Sequence, residues 1–546
     1  MSLFDKEERL LLPEWSKSKG ALKTFELKSL KSERKYLLLD NTDFIYAEFN
    51  AEKKLGSAIE LLNTAFIENR EAEARIAAKH IVQGHDLPPQ ILNLARKVLV
   101  GQNSIIENII EDNGILITSI RAWLKDNPRD ALSWVDLARA YISIGKIESA
   151  EKSMVVALSL LPNHRWLVRV ASRFFVNLHQ NDKAHNLLLK HPDLKNDPWL
   201  LSAEIAVAES YGRPRKNLNQ AKSLILNTSI DLSHLTELES SLATIELSDG
   251  AVKKAKKLFV SSLRKPNDNS LAQAKWVERN TAITKLVSPD VLANHSGAYE
   301  AKLWEEYYNY NIKGAIQYGL KWFEDEPYTV QPAIMITYLA SILDDYALCL
   351  NVCKKGLSID KNDETLILNK MFAEACMLSR DAYRLNINEI DAMIISAKNF
   401  ISNESDDYVA HSYANLGLIY YKLGDFERGR EYYDMAYESY FKKKNYSYIV
   451  SLFNHYRESV LAGCLWSEEY FEKMNVEIHS FGIRKEPAIT YYYLKMLKLR
   501  AQPTKWDEIK NEDIIIQPSK EDDKEVKKIV TFDFDPNNPT IWVNKK

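Results

Sequence analysis

Residues 131–163, ALSWVDLARAYISIGKIESAEKSMVVALSLLPN, contain two amphipathic helical patterns joined by a tight turn. The first pattern has apolar residues at spacings of three and four, which places them on one helix face: Trp134, Leu137, Ala138 and Tyr141. Gly145 then interrupts the pattern, as glycine often does where a helix ends. The second pattern has an apolar face of its own and ends at Pro162. Because two such helices cannot bury both faces alone, the stretch predicts neighbouring helical pairs of the same kind.

The stretch resembles the tetratricopeptide repeat, a helical pair with a period of about 34 residues. The residues at signature positions are Trp134, Leu137, Ala138, Tyr141, Gly145, Ala150, Met154, Ala157 and Pro162. The signature returns in the other half of the chain at Tyr413, Leu416, Gly417, Tyr420, Gly424, Gly429, Tyr433 and Ala436. This resemblance implies an all-α solenoid in which the first helix of each pair lines a concave groove.

Length and composition limit the other possibilities. A chain of 546 residues is too long for one ordinary core, which favours a stacked array or several domains. The formal net charge of −3 gives no global basic field for nucleic acid. The four cysteines lack the paired spacing of secreted proteins, and neither a signal peptide core nor an apolar run long enough to span a membrane is visible. We therefore expect a cytoplasmic protein.

The patterns divide the chain into six predicted segments. Residues 1–50 are basic and could include short strands, and residues 51–127 are predicted to form a helical N-terminal cap. Two repeat arrays follow, at 128–270 and 297–500, separated by an irregular linker at 271–296. Residues 501–546 are predicted to be a polar tail with short extended pieces.

The resemblance also implies which side chains face the groove. In the first array these include an arginine cluster, formed by Arg139, Arg169 and Arg173. In the second array they include an aromatic group with one lysine: Trp304, Tyr307, Tyr308, Tyr338, Tyr421 and Lys422. Guanidinium forks suit carboxylates and phosphates, and aromatic anchors suit peptides. The alternative is that these side chains pack between repeats or contact the tail.

The spacing of the arginines suggests an acidic ligand. Arg169 and Arg173 lie one turn apart on one helix face, and Arg139 precedes Arg173 by 34 residues, one repeat period. Three converging guanidinium groups repel each other unless an anion lies between them. That anion is either a neighbouring glutamate or an acidic or C-terminal segment of a partner.

The leading interpretation is therefore a non-enzymatic adaptor or regulatory subunit that binds a protein or peptide. A nucleic-acid-binding helical repeat, using the basic N-terminus and the arginine cluster, is the second interpretation.

Two other motifs could carry chemistry. Cys349 and Cys353 lie four residues apart, but a structural zinc site needs a second pair, so we expect both to be buried as small hydrophobic residues. Arg75 and His80, in RIAAKH, resemble the loose Arg-x(4–6)-His motif of HEPN-type ribonucleases, which implies an RNase as a third interpretation. Phosphate-binding loops, nucleophile elbows and H-E-x-x-H motifs are absent from the sequence. We therefore expect no catalytic residue, no metal and no cofactor.

Overall fold

The computed structural model describes residues 42–67, 70–83, 113–227, 230–295, 297–378, 387–402, 406–442, 446–483 and 486–501, and isolated positions at 92–99, 515–516 and 540–541. The chain divides into two compact units. The first unit contains residues 1–302 and 321–329, and the second contains residues 303–320 and 330–546.

Helices make up most of the described chain. Those of the first unit are α1 Thr42–Glu52, α2 Leu55–Ile67, α3 Glu71–Val82, α4 Asn113–Asp126, α5 Ala131–Ile142, α6 Ile147–Leu160, α7 Arg165–Asn177, α8 Asn181–Leu189, α9 Pro198–Ser210, α10 Leu218–Ile225, α11 Leu232–Ser248, α12 Val252–Ser262, α13 Asp268–Asn280 and α14 Pro289–Asn294. Two helices contain residues of both units: α15 Tyr299–Tyr308 and α16 Ile312–Asp325.

The second unit continues with α17 Gln331–Ile342, α18 Tyr346–Ile359, α19 Glu364–Met377, α20 Ile387–Ser402, α21 Asp406–Leu423, α22 Phe426–Lys442, α23 Ser447–Leu461, α24 Ser467–Phe481 and α25 Pro487–Ala501. Two short strands, β1 Ile515–Ile516 and β2 Thr540–Ile541, pair in parallel. No helix within the described ranges combines the length and the apolar character needed to cross a membrane.

Local sequence explains where the chain turns between α5 and α6 and between α21 and α22. Asp130 caps α5 by accepting a hydrogen bond from the backbone N–H of Ser133 at 3.2 Å. Gly145, between α5 and α6, has a φ of 69°, and Gly424, between α21 and α22, has a φ of 82°. Only glycine adopts such angles without a steric penalty at Cβ. Both repeats therefore turn at the glycines that the sequence pattern identified.

The helices pack as repeated pairs. The two helices of a pair contact each other: α5 contacts α6, α11 contacts α12, and α21 contacts α22. Helices two positions apart in the chain also contact each other. In the first unit these contacts run along α7, α9, α11 and α13, and in the second unit along α17, α19, α21, α23 and α25. This arrangement is that of a helical-repeat solenoid, so the predicted all-α class is confirmed. The division into arrays at 128–270 and 297–500 stays a prediction.

The signature residues lie in the core as expected. Ala138, Met154 and Ala157 are completely buried in the core of the first unit, and Trp134 is half-buried against it. Tyr420 is buried in the second unit. The burial of Ala138, Met154, Ala157 and Tyr420 agrees with the repeat register deduced from the sequence.

Two segments with weak sequence patterns contain helices. Residues 42–52 form α1 instead of a strand, because Ile45 and Phe49 lie four apart and bury one helix face against α2. Residues 271–296 contain most of α13 and all of α14, and Leu271, Ala274 and Val277 are buried at helical spacing. Residues 1–41 and nearly all of the tail lie outside the described residues.

Candidate partner-binding surfaces

Arg139, on α5, binds backbone carbonyl groups of the same chain. Its guanidinium donates to the carbonyl oxygens of Asp325 and, at 3.4 Å, of Glu324. These carbonyls belong to the last turn of α16, where no intrahelical donor remains for them. Arg139 therefore caps the C-terminal end of α16, and its positive charge favours the negative end of the helix dipole.

The five residues EDEPY at 324–328, here called the 324–328 segment, pack against α5 and α7 of the first unit. Tyr328 is 1% exposed and lies in the same core cluster as Val135 of α5. The side-chain amide of Asn177 on α7 donates to the carbonyl oxygen of Tyr328 at 2.9 Å. Glu326 is buried as well. The face predicted to receive an acidic partner thus holds an acidic segment of the chain itself.

Arg169, on α7, pairs with a neighbouring glutamate. It forms an ion pair with Glu237 of α11, and both side chains are largely buried. Its guanidinium carbon also lies 4.9 Å from the centre of the Trp199 ring. The side-chain amide of Asn267 donates to the other carboxylate oxygen of Glu237 at 3.0 Å. A glutamate of the fold is therefore the anion for this arginine, which is the alternative that the sequence left open.

Arg173 lies one turn further along α7 and differs from the other two arginines. It is half-buried, and its Nε has no hydrogen-bond partner among the described residues. Burial raises the pKa of the nearby Tyr211 hydroxyl, and the charge of Arg173 opposes that rise. Because Arg139 and Arg169 bind separate groups, the expected convergence of three arginines on one anion is wrong.

The aromatic group on α15 is only partly accessible. Tyr308 is 39% exposed, and its ring stacks on that of the half-buried Trp304 with 6.4 Å between ring centres. Tyr307 is 1% exposed and donates its hydroxyl to the carboxylate of Glu486. Burial raises the pKa of Tyr307 well above its usual value, so the hydroxyl stays protonated. Trp304 and Tyr308 therefore form a partly accessible pair, whereas Tyr307 is a buried hydrogen-bond donor.

Tyr338 extends a chain of hydroxyl groups from Tyr307. The hydroxyl oxygens of Tyr307 and Tyr338 lie 3.3 Å apart, and those of Tyr338 and Tyr446 lie 3.2 Å apart. These residues come from α15, α17 and the residue before α23. The chain of hydroxyls links helices of one unit that are far apart in sequence.

Tyr421 and Lys422, on α21, also bind within the second unit. Tyr421 is 2% exposed, and its hydroxyl lies 3.0 Å from both the Nε2 of His455 and the Nε1 of Trp466. Lys422 forms an ion pair with Glu458 at 2.9 Å. The prediction that the rings of Tyr307 and Tyr421 face an open groove is wrong. The reason is that His455 of α23 and Trp466 lie against Tyr421, and that Glu486, the residue before α25, accepts a hydrogen bond from Tyr307.

A buried charge network, which the sequence did not reveal, lies beside these residues. Nζ of Lys495 lies 2.5 Å from a carboxylate oxygen of Asp344, and Nε of Arg457 lies 2.9 Å from one of Glu458. The Tyr346 hydroxyl donates to Asp344 at 2.8 Å and accepts from Arg457 at 3.2 Å. Burial alone would raise the pKa of Asp344, but Lys495 and Arg457 hold it below its usual value. The available signal was the presence of Arg457, Glu458 and Lys495 within otherwise apolar helical runs.

The remaining candidate residues lie apart from these surfaces. Cys349 and Cys353 are completely buried, as expected for core residues. In the part of the chain that the structure describes, no group of three or more His, Cys, Asp or Glu side chains could hold a metal ion. Arg75 is exposed on α3, whereas His80 packs edge-on against Phe49 at 5.3 Å. A separation of five positions rotates the two by about 140° around the helix, so they do not share a face.

Comparison with known proteins supports the repeat assignment. Residues 410–442, which include most of α21 and all of α22, match the family model described as tetratricopeptide repeat. A comparison with curated proteins gives no match.

Three solved structures are among those similar to this chain. The crystal structure of yeast Tom70 is 16% identical, covers 74% of this chain and 88% of its own, and has a TM-score of 0.27. The TPR domain of P58(IPK) is 12% identical, with coverages of 83% and 99% and a TM-score of 0.21. A structure of Naa15/Naa10 bound to HypK-THB is 13% identical, with coverages of 91% and 96% and a TM-score of 0.23.

These scores are too low to decide anything about function. The repeat assignment depends instead on the family match at 410–442 and on the helical pairs of the structure. The chain therefore contains a tetratricopeptide repeat at residues 410–442, within an array of helical pairs.

Proposed function

We propose that the protein is a non-enzymatic adaptor or regulatory subunit that binds a protein or peptide partner in the cytoplasm. The observation that carries this proposal is the array of helical pairs with a tetratricopeptide repeat at 410–442. Stacked pairs present one extended surface, along which side chains from several repeats can contact a single partner. Such an extended surface suits the binding of a protein or peptide.

The partner-binding residues that we propose are those that remain accessible. Tyr308 is the exposed member of the aromatic group, Trp304 supports it by stacking, and Arg173 is half-buried with Nε unpartnered within the described chain. Tyrosine, tryptophan and arginine are the residue types that most often dominate binding energy at interfaces. We assign the other predicted residues, Arg139, Arg169, Tyr307, Tyr338, Tyr421 and Lys422, to holding the helices in place.

Affinity capture from the native host, read by quantitative mass spectrometry, tests the proposal. Wild-type protein should enrich a partner, and Tyr308→Ala should lower its recovery by about tenfold, since truncating a central aromatic anchor typically costs more than 1 kcal/mol. Met435→Ala, at another exposed apolar position of the same unit, is the matched control and should have no effect.

Two outcomes would count against it. Equal recovery with Tyr308→Ala would remove the aromatic pair from the binding surface. Failure of the wild-type protein to enrich any protein over an unrelated bait would reject the adaptor proposal itself.

A further inference from the structure

Helix α12 and the three residues after it carry an unusual density of positive charge. Residues 252–265, VKKAKKLFVSSLRK, contain no acidic residue and six basic ones: Lys253, Lys254, Lys256, Lys257, Arg264 and Lys265. All six are exposed. The chain as a whole has a formal charge of −3, so this concentration is local.

Packing fixes the orientation of this charge. Ala255, Phe259 and Ser262 are buried, and the first two lie in a core cluster with Ala243 of α11. Lys253, Lys256, Lys257 and Val260 lie on the opposite side of the helix, within about 100° of one another. Val252, beside them, and Val260 are 46% and 50% exposed. We call Lys253, Lys256, Lys257 and these two valines the basic face.

The lysines of the basic face differ from their neighbours Lys254 and Lys265 in their ion pairing. Lys254 pairs with Glu246 at 2.6 Å and Lys265 pairs with Asp231 at 3.1 Å, so charge at the edges is neutralised. Within the described residues, Lys253, Lys256 and Lys257 form no ion pair. Like charges three and four residues apart repel, which disfavours the helix in the absence of a ligand. An anionic partner would relieve that repulsion.

We infer that the basic face docks an acidic segment of a partner protein, a step that rests on the adaptor function proposed above. An acidic amphipathic helix laid along α12 presents carboxylates at spacings of three and four, matching Lys253, Lys256 and Lys257. Its apolar residues cover Val252 and Val260, which a phosphate backbone would leave uncovered.

The composition of the face argues against other anionic partners. Single-stranded nucleic acid is usually held by stacking on aromatic rings, and the one aromatic residue of α12, Phe259, is buried. Helices that bind the lipid interface insert large apolar side chains, and two half-exposed valines offer little area for insertion. Carboxylates accompanied by apolar side chains fit this face best.

Three labelled probes distinguish these partners in direct binding measurements. The first is an acidic amphipathic peptide of about three Leu-Glu-Glu-Leu-Glu-Glu-Ala heptads, which is long enough to be helical. The second is polyuridylate RNA, and the third is a vesicle that contains phosphatidylserine. The full-length wild-type protein should bind the peptide more tightly than the RNA or the vesicles. Lys253→Glu with Lys257→Glu should weaken peptide binding at least tenfold, and Val260→Ser should weaken it several-fold.

The control carries the same change in charge at other positions of the first unit. Lys152→Glu with Lys190→Glu alters two exposed lysines on α6 and at the end of α8. It should leave peptide binding within about twofold of wild type, and thermal melting of all variants checks the fold. Unchanged peptide binding in the Lys253/Lys257 variant, no binding by the wild type, or tighter binding of RNA or vesicles that this variant abolishes would each overturn the inference.

The same variants separate this inference from the adaptor proposal. If wild-type protein captures a partner from the host and the Lys253/Lys257 variant captures it equally well, the basic face is not its docking site and the adaptor proposal stands. If the wild type captures no partner, the adaptor proposal has failed independently of α12.

Discussion

Gly417 and Gly429 show how single residues set the spacing between α21 and α22. A Cβ atom on Gly417 would lie 2.7 Å from a carbon of the Tyr433 ring, and one on Gly429 would lie 2.6 Å from a carbon of the Tyr421 ring. Such distances are too short, so a methyl group forces either a ring or a helix to move. The tight pairing in this repeat therefore depends on two missing side chains and two large rings.

A substitution at Gly417 tests this packing. Gly417→Ala should lower the free energy of unfolding of the second unit by about 1–3 kcal/mol, the usual cost of overpacking a tight core. Gly56→Ala, on α2, is the control, because nothing lies within 4 Å of a Cβ there and alanine favours the helix. Urea unfolding measures both, and a Gly417→Ala protein as stable as wild type would show that the two helices are not tightly packed at this point.

At the scale of the element, α25 brings a charge into the interior. Lys495 is 1% exposed and binds Asp344, which lies between α17 and α18. Burial lowers the pKa of Lys495 and the carboxylate of Asp344 opposes that shift. A buried ion pair adds little net stability, but removing one partner leaves the other uncompensated. The pair therefore fixes where α25 docks within its unit.

Lys495→Met should destabilise the second unit by about 3 kcal/mol, because the buried carboxylate of Asp344 loses the cation that lies 2.5 Å from it, whereas Arg457 lies 4.0 Å away. Adding Asp344→Asn should restore part of that loss, since the double variant leaves no uncompensated carboxylate. The exposed pair of Lys442 and Glu438 provides the contrast, and Lys442→Met should cost less than about 1 kcal/mol. Equal effects at the two sites, measured by chemical unfolding, would show that the Lys495 pair behaves as a surface pair.

At the scale of the whole molecule, buried histidines connect stability to pH. His455 is enclosed by the rings of Tyr421, Tyr433 and Tyr470. Burial lowers its pKa well below 6.5, and the charges of Arg430 and Lys473 lower it further. Burial also lowers the pKa of His411 to about 4. Both side chains are neutral in the folded chain, whereas the unfolded chain binds protons at these positions from about pH 6.5 downwards.

The folded state should therefore lose stability as the pH falls from about 6.5 towards 4, by up to about 1.4 kcal/mol per pH unit for each histidine. The pKa values of Asp344 and Glu458 are lowered too, so their contribution is lost only in stronger acid. Asp434, whose pKa burial raises, acts in the opposite direction.

Hydrogen-exchange protection of α21 and α23 at several pH values measures this effect locally. His455→Gln should flatten the pH dependence of protection between pH 6.5 and 5, since one titrating group has been removed. His479→Gln, at an exposed position on α24, should leave the profile of the wild type unchanged. A steeper or unaltered profile in His455→Gln would show that the proton is not taken up at that ring.

The sequence by itself determined the class of fold and the register of its two clearest repeats. The spacing of Trp134, Ala138 and Tyr141 and the turn at Gly145 are local features, and helix period and glycine geometry make them readable without any tertiary information. The burial of Cys349 and Cys353 followed in the same way from their place in the repeat.

Only the tertiary structure decided which of the predicted groove residues are buried and which remain exposed. Arg139 and the carbonyl of Asp325 are 186 positions apart, and Tyr307 and Glu486 are 179 apart. Nothing in a repeat pattern states which distant segment will pack against a first helix, because that depends on how the unit closes on itself. The acidic 324–328 segment and helices α23 and α25 take up the faces predicted for a partner, since burying their apolar side chains there is favourable. The basic face of α12 stays accessible for the converse reason, since charged lysine side chains lose more by burial than they gain.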